Sequence, residues 1–232
     1  MTLKVLCARS MTAAVNSLGE GFMRASGRPL DITFATVGAL QARLAAGVTA
    51  DVLILGAAAI AAMEQAGAVV AGSRRDIART SIGVAVPAGA SGPDISSPEA
   101  FKQALIAARA VAFSDPAVGG SAGVYLAELW ERIGLTQEIA RKGMPQRSGG
   151  EVAARVAEGK ADIGLTLVAE IIPVEGARVI GALPPPLGND TTYAAGISSS
   201  SADPSAAGEF IAALIDPAGG AVWTAAGFEP AP

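Results

Sequence analysis

The feature that most restricts the fold is an alternation of short β-like and alanine-rich helical runs along the first 67 residues. Because each helix returns the chain across the sheet, strands that alternate with helices can pair in parallel through right-handed connections. Gly47 and Gly67 follow two of the helical runs and are typical of C-terminal caps. The pattern predicts an α/β protein with strands at Leu3–Ala8, Asp31–Thr36 and Asp51–Leu55 and helices at Met11–Arg24, Ala39–Ala46 and Ala57–Gln65.

The same alternation returns after a polar, arginine-rich break expected at Gly72–Thr80. Ser97 followed by Pro98 is typical of a helix start. The expected strands are Ser81–Val86, Val111–Phe113, Ile163–Leu167, Val179–Leu183 and Tyr193–Ile197, and the expected helices run over 98–109, 122–133, 152–157, 205–215 and 217–226. This order predicts two lobes, each a mostly parallel sheet flanked by helices: lobe I from residues 1–82 plus 195–232 and lobe II from residues 83–194. Ligands of open α/β sheets bind outside the carboxyl ends of strands, so a ligand cleft is expected between the lobes.

Composition excludes several classes of chemistry. The chain has no histidine and one cysteine, Cys7, so Ser-His and His-metal mechanisms, thiolate zinc sites and internal disulfides are excluded. A net charge of −4 and a pI near 4.9 predict no nucleic-acid partner. The longest apolar run, Val52–Met63, is shorter than the roughly 20 residues that cross a bilayer, so no membrane insertion is expected. No metal and no cofactor are predicted.

Four strand-to-helix junctions carry small or hydroxyl residues, which suits an anion site. The free N–H groups at a helix start attract anions, and small residues allow a ligand to approach the backbone. The junctions are Arg9-Ser10-Met11, Thr36-Val37-Gly38, Gly120-Ser121-Ala122 and Ser148-Gly149-Gly150. The residues predicted to bind a small anionic ligand are Arg9, Ser10, Thr36, Val37, Gly38, Ser121, Ala122, Gly150 and Tyr193. The alternative is that these junctions are ordinary helix caps and turns.

Arg9 stands out because it follows a strand that is predicted to be buried. A guanidinium pairs well with a carboxylate, often through two parallel hydrogen bonds. The alternative is an exposed arginine at the tip of the strand. Arg147, beside Ser148, is a second candidate for this role.

The run Gly119–Gly123 matches the G-x-S-x-G pattern of a nucleophile elbow. Such a serine is normally activated by histidine, which the chain lacks, so Ser121 is interpreted as an anion-binding hydroxyl. The sequence does not single out one catalytic base. The candidate residues for this role are Glu151, Ser121 and Tyr193. Asp51 is expected to bond to nearby backbone.

Sequence pieces spread over the whole chain resemble one known family. They are Ala8-Arg9-Ser10-Met11, Phe34-Ala35-Thr36-Val37-Gly38-Ala39-Leu40, Ala45-Ala46-Gly47 before Ala50-Asp51-Val52, Asp115-Pro116 with Ala122-Gly123-Val124-Tyr125, Val156–Gly164 and Ala226-Gly227-Phe228. In this order, from Leu3 to Phe228, the chain resembles the periplasmic molybdate-binding proteins of ABC importers, including their aconitate isomerase-like relatives. The resemblance implies a type II periplasmic-binding-protein fold and, for an exported chain, an ABC importer as partner.

The chain departs from the family pattern in the segments that concern the ligand: the junction around Gly119-Gly120-Ser121 carries an extra residue, and three other segments differ in sequence. Arg9-Ser10 replaces Ala-Ser, Thr36-Val37-Gly38 replaces a serine run, and Leu165-Thr166-Leu167 replaces Ile-Val-Tyr, so the family's ligand-binding tyrosine is lost. Molybdate is held by neutral donors in the family. Fewer such donors and an added guanidinium favour a di- or tricarboxylate over molybdate.

Two functions follow from this resemblance, and a cytoplasmic ligand sensor without catalytic chemistry is a third alternative. The first is capture of a small anion by a solute-binding protein. The second is an isomerase of the aconitate isomerase type, which shifts an allylic proton in an unsaturated polycarboxylate. Residues 1–9 lack a signal-peptide pattern, so a cytoplasmic location is expected for the chain as written, and a periplasmic one where Met1 is a start added to a mature form.

Overall fold

The computed structural model describes residues 1–231, which form two compact units. Unit 1 comprises Met1–Arg79 and the chain from Thr191 onward, and unit 2 comprises Thr80–Asp190. The lobe boundaries expected from the sequence, after residues 82 and 194, fall within the same two strands that connect the units.

Ten strands and ten α-helices form the described chain. The strands are β1 Leu3–Ala8, β2 Leu30–Ala35, β3 Val52–Gly56, β4 Arg75–Pro87, β5 Val111–Ser114, β6 Gly143–Gln146, β7 Ile163–Leu167, β8 Ala177–Ala182, β9 Asp190–Ile197 and β10 Glu229–Pro230. The helices are α1 Thr12–Ser26, α2 Val37–Ala45, α3 Ala57–Gln65, α4 Pro98–Ala107, α5 Ser121–Arg132, α6 Thr136–Lys142, α7 Gly149–Ala157, α8 Val168–Ile171, α9 Pro204–Leu214 and α10 Gly220–Ala225. Among residues 1–231, no helix combines the length and apolar character needed to span a membrane.

The sheet of unit 1 is built on three parallel strands. β1 lies between β2 and β3, and β9 pairs antiparallel with the outer side of β3. Ala8 is opposite Ala35, and Gly56 is opposite Tyr193. The carboxyl ends of β1, β2 and β3 and the beginning of β9 therefore lie along one edge of this sheet, called the unit-1 edge below.

The sheet of unit 2 repeats this plan. β5 lies between β6 and β7 and is parallel to both, while the second half of β4 pairs antiparallel with β7 and with β8. Ser114 at the end of β5 is opposite Gln146 at the end of β6. The carboxyl ends of β5, β6 and β7 form the unit-2 edge.

Aliphatic side chains dominate the core clusters of both units, and those of unit 2 are mostly small, as the alanine-rich composition predicts. The unit-2 core cluster contains four alanines among its seven buried residues: Ala85, Ala112, Val152, Ala153, Val156, Ala161 and Ile171. The unit-1 cluster is leucine-rich around Leu6, Leu40, Leu53, Leu55 and Ile60. Because protein interiors are close-packed, the short side chains of the unit-2 cluster require close approach between helices and sheet.

The break expected at Gly72–Thr80 is wrong from Arg75 onward, because β4 already begins there. The polar residues of this stretch gave no strand pattern. Within unit 1 the strand is formed by pairing with β10, where Glu229 is opposite Arg79 and its carboxylate forms an ion pair with that guanidinium. This partner lies 150 residues away along the chain, so local sequence could not reveal it.

Three short elements of unit 2 were also missed: α6, β6 and α8. The β6 segment contains Gly143 and Pro145, which are rare inside strands but tolerated at a sheet edge. It is a strand because β5 supplies its hydrogen-bonding partner.

Candidate functional site

Three of the predicted ligand-binding segments lie together at the unit-1 edge. The register of β1 with β2 places Arg9 and Ser10 beside Thr36, and the register of β3 with β9 brings Tyr193 to the same edge. These residues are far apart in the sequence. Parallel pairing brings the carboxyl ends of β1 and β2 together, and antiparallel pairing with β3 brings the beginning of β9 to the same edge.

Ser10 and Tyr193 form a direct pair. The Ser10 hydroxyl donates to the Tyr193 oxygen at 2.7 Å. Tyr193 is buried, with 4% of its surface exposed, and its ring packs edge-on against Phe228 at a centroid distance of 5.9 Å. Tyr193 is therefore packed within unit 1 and also presents its hydroxyl to the Ser10 side chain.

Arg9 begins the short 3-10 turn that follows β1, and its side chain is exposed. Its carbonyl accepts a hydrogen bond from the Thr12 hydroxyl at 2.6 Å, which fixes the backbone of the turn. Within residues 1–231 the guanidinium has no ion pair or side-chain hydrogen bond. The unit-1 edge thus presents a positive charge whose hydrogen-bond donors are available to a ligand.

Thr36 is the N-cap residue of α2, in agreement with the alternative that these junctions are ordinary helix caps. Its hydroxyl oxygen accepts from the Ala39 N–H at 3.3 Å. Val37 and Gly38 are the first residues of the helix, and Gly38 is exposed. The first N–H groups of a helix have no partner within it, so the Val37 and Gly38 amides are the donors this junction offers.

The remaining predicted residues lie at the unit-2 edge. Ser121 is the exposed first residue of α5, whereas Ala122 is buried. Two glycines explain the G-x-S-x-G pattern without a nucleophile: Gly119 has a φ of +72°, and a Cβ on Gly123 would lie 2.8 Å from the carbonyl oxygens of Ser114 and Asp115. One glycine permits the turn and the other permits α5 to pack directly on the end of β5.

The junction before α7 is a reciprocal helix cap. The Ser148 hydroxyl accepts from the Glu151 N–H at 3.3 Å, and the Glu151 carboxylate accepts from the Arg147 N–H at 3.1 Å. Glu151 therefore holds the helix start, as a carboxylate in a first turn commonly does. Gly150 is partly exposed and has open space where a side chain would stand.

A polar cluster that the sequence analysis missed lies at the same edge, and it is called the Glu170 cluster here. Thr166 on β7 donates to the Glu170 carboxylate at 2.9 Å and is 2.9 Å from the Ser114 hydroxyl. A Cβ on Gly149 would lie 2.2 Å from a Glu170 oxygen and 2.3 Å from the Thr166 hydroxyl, so both groups press against the start of α7. The cluster comprises Ser114, Gly149, Thr166 and Glu170.

One signal could have led to this cluster. Thr166 directly precedes Leu167, the position where the family resemblance has its lost tyrosine, and Glu170 follows Thr166 by four residues. A hydroxyl at a strand end and a carboxylate on the following turn can face each other, but Ser114 and Gly149 are distant in sequence. Their contribution depends on the pairing of β5, β6 and β7.

Comparison with known proteins supports the fold and the family. The chain is 34% identical over 214 residues to the aconitate isomerase of a Pseudomonas species, covering 89% of this chain and 79% of that protein. Among solved structures, the substrate-binding domain assigned to a molybdenum ABC transporter from Clostridium difficile superposes with a TM-score of 0.80 at 18% identity, covering 100% of this chain and 99% of that one.

The periplasmic molybdate-binding protein of Azotobacter vinelandii superposes with a TM-score of 0.77 at 22% identity, covering 97% of this chain and 98% of that one. These structural matches confirm the predicted α/β class and type II periplasmic-binding-protein fold. A family model for bacterial extracellular solute-binding proteins matches residues 3–229. Because this match covers nearly the whole chain, the protein belongs to the bacterial extracellular solute-binding protein family.

Proposed function

We propose that this protein captures a small di- or tricarboxylate rather than molybdate. The observation that carries the proposal is the exposed Arg9 guanidinium, which has no ion pair within residues 1–231 and lies beside Ser10 and Tyr193 at the unit-1 edge. A guanidinium and a carboxylate match in charge and in planar geometry, and the α2 amides at Val37 and Gly38 are further donors.

Replacing Arg9 tests this proposal. Arg9→Ala is expected to weaken binding of tricarballylate and trans-aconitate by about 10- to 100-fold, the range for a hydrogen-bonded charge pair. Molybdate binding should change much less. Arg43→Ala is the matched control, because Arg43 is also exposed in unit 1 and lies in the last turn of α2.

Isothermal titration of wild type and both variants with the three anions gives the answer. Equal losses for molybdate and the carboxylates in Arg9→Ala would contradict the ligand assignment. Failure of the wild type to bind either carboxylate at millimolar concentration would contradict it as well.

A second candidate function is isomerisation of an unsaturated polycarboxylate. Two observations favour it: the relative at 34% identity is an aconitate isomerase, and the Glu170 cluster supplies a hydrogen-bonded carboxylate at a strand-end edge. The reaction would move a proton and a double bond within one substrate. It requires a group that accepts and returns a proton, together with donors for the substrate carboxylates.

This candidate is tested by incubating purified protein with trans-aconitate and following cis-aconitate by chromatography. Turnover that rises in proportion to protein concentration supports the isomerase. Binding of trans-aconitate without conversion favours a protein that only captures the ligand.

A further inference from the structure

We infer that Glu170 is the catalytic residue that accepts and returns the proton in this isomerisation, held in position by Thr166 and Ser114. The inference rests on the isomerase candidate of the proposed function. Glu170 was not among the candidate bases that the sequence suggested, which were Glu151, Ser121 and Tyr193.

The position of the carboxylate is fixed from three elements. Thr166 on β7 is completely buried and donates to one Glu170 oxygen at 2.9 Å. The start of α7 closes the second side, since Gly149 leaves no room even for a Cβ beside that oxygen. The Ser114 hydroxyl on β5 forms a hydrogen bond with the Thr166 hydroxyl at 2.9 Å and so helps to fix its position. Proton transfer to carbon needs such a defined position, because misplacement by about 1 Å can cost 100-fold in rate.

Counting hydrogens gives the direction of this chain of hydrogen bonds. Thr166 has a single hydroxyl hydrogen, and it is donated to Glu170. Thr166 can therefore only accept from Ser114, so both hydroxyl hydrogens point towards the carboxylate. The start of α7 lies against the same carboxylate oxygen. The ionised carboxylate is the form that can accept a proton.

The candidate bases from the sequence, and Asp115 near them, have other roles. Glu151 holds the start of α7, and Asp115 accepts from the Ala117 N–H at 2.9 Å in the turn before α5. Tyr193 packs against Phe228 and accepts from Ser10. Ser121 lacks the histidine that would activate it. Within the Glu170 cluster, the Glu170 carboxylate accepts a hydrogen bond from the buried Thr166 hydroxyl.

The chemical step balances without a co-reactant. Glu170 removes a proton from the CH₂ group next to the double bond, and the C–H electron pair becomes part of an allylic anion stabilised by the attached carboxylates. The new double bond forms at this position. The protonated Glu170 then returns the proton to the former vinyl carbon, which completes the isomerisation and restores the carboxylate.

Glu170→Gln tests the role of the carboxylate. Its amide oxygen can still accept from Thr166, but it cannot take up a proton. We expect kcat for trans-aconitate to fall by about 10²- to 10⁴-fold, while the dissociation constant for the unreactive tricarballylate stays within about threefold. Wild type in D₂O should place deuterium in the product, and the variant should exchange at a rate reduced in proportion to kcat.

Glu175→Gln is the matched control, since it makes the same change at an exposed position five residues further on, and it should retain wild-type kcat. Glu170→Asp keeps the carboxylate but shortens its reach, so a folded variant with reduced kcat and unchanged tricarballylate binding is expected. This second variant keeps the test decisive where Glu170→Gln does not fold.

The outcomes separate the two levels of the hypothesis. A wild type that binds tricarballylate but never converts trans-aconitate overturns the isomerase candidate itself. An active wild type whose Glu170→Gln variant keeps more than a third of kcat overturns the role of Glu170 and leaves the isomerase standing. Full activity in Glu170→Asp together with full deuterium exchange in Glu170→Gln also overturns it.

Discussion

Single atoms determine how the Glu170 cluster is assembled. Gly149 is buried at the first position of α7, and the space its missing side chain leaves is filled by the Glu170 carboxylate and the Thr166 hydroxyl. The next residue, Gly150, has nothing within 4 Å of the corresponding point. A side chain at Gly149 would therefore overlap its neighbours, whereas a side chain at Gly150 would not.

Gly149→Ala should consequently destabilise the protein, whereas Gly150→Ala should not. The added methyl group would overlap both polar groups, and overpacking of this kind costs about 1–3 kcal/mol. Alanine at Gly150 should be neutral or stabilise by up to about 1 kcal/mol, because alanine is the better helix former.

Urea unfolding of both variants measures these differences. Equal unfolding free energies for Gly149→Ala and Gly150→Ala would show that Glu170 does not lie against the start of α7.

Asp51 shows how one side chain connects several elements of unit 1. It is 5% exposed just before β3, and its carboxylate accepts from the Lys4 N–H of β1 at 2.8 Å. It also accepts from the Ser201 hydroxyl at 2.7 Å and the Ala202 N–H at 3.0 Å, both in the loop after β9. The expectation that Asp51 bonds to nearby backbone was wrong, because its partners come from distant segments that reach β3 only in the folded sheet.

This arrangement predicts a pH-dependent contribution to stability. Burial raises the pKa of Asp51, but the hydrogen bonds that its carboxylate accepts lower the pKa by more than burial raises it. The pKa of Asp51 is therefore below its ordinary value. The donors of these hydrogen bonds are Lys4, Ser201, Ala202 and Asp203. A carboxyl with a lowered folded-state pKa stabilises the fold above its unfolded-state pKa of about 4. That stabilisation is lost as the pH falls through the lower folded-state pKa.

Asp51→Asn should therefore lower the unfolding free energy at pH 7 by roughly 2–4 kcal/mol, because buried donors lose a charged acceptor. The deficit relative to wild type should shrink below about pH 4. Asp31→Asn, at an exposed position on β2, is the control and should change stability by less than about 0.5 kcal/mol. Urea titrations at several pH values test this, and a deficit that stays constant down to pH 3 would be inconsistent with it.

At the scale of the whole molecule, chemical labelling of the buried Cys7 thiol can report on the opening of unit 1. Cys7, the single cysteine of the chain, lies in the middle of the unit-1 sheet with none of its surface exposed. Burial raises the pKa of its thiol well above the ordinary value, which suppresses the reactive thiolate. Labelling of Cys7 should therefore require unit 1 to open.

We expect a thiol reagent at about pH 8 to label native protein slowly, and urea-unfolded protein at once. A ligand that binds only the folded state should slow labelling further, because it reduces the population of open molecules in proportion to its occupancy. Adding tricarballylate during a labelling time course measures this. Rapid labelling of the native protein would show that Cys7 is accessible without opening.

The amino-acid sequence by itself determined the α/β class, most helices and the points where several of them begin and end. Gly47 and Gly67 adopt the predicted left-handed conformation after their helices, and Ser97 with Pro98 begins α4 as expected. These features are predictable because caps and turns depend on a few neighbouring residues. The alternation of strands and helices is equally local.

Only the tertiary structure decided which polar groups meet. The β4 segment from Arg75 and the β6 segment are strands because distant chain pairs with them. Ser10 reaches Tyr193 across 183 residues of sequence, and Ser114 reaches Thr166 across 52. The physical reason is that hydrogen-bond partners at a strand end are set by the register of the whole sheet, whereas sequence patterns report only on residues within a few turns of one another.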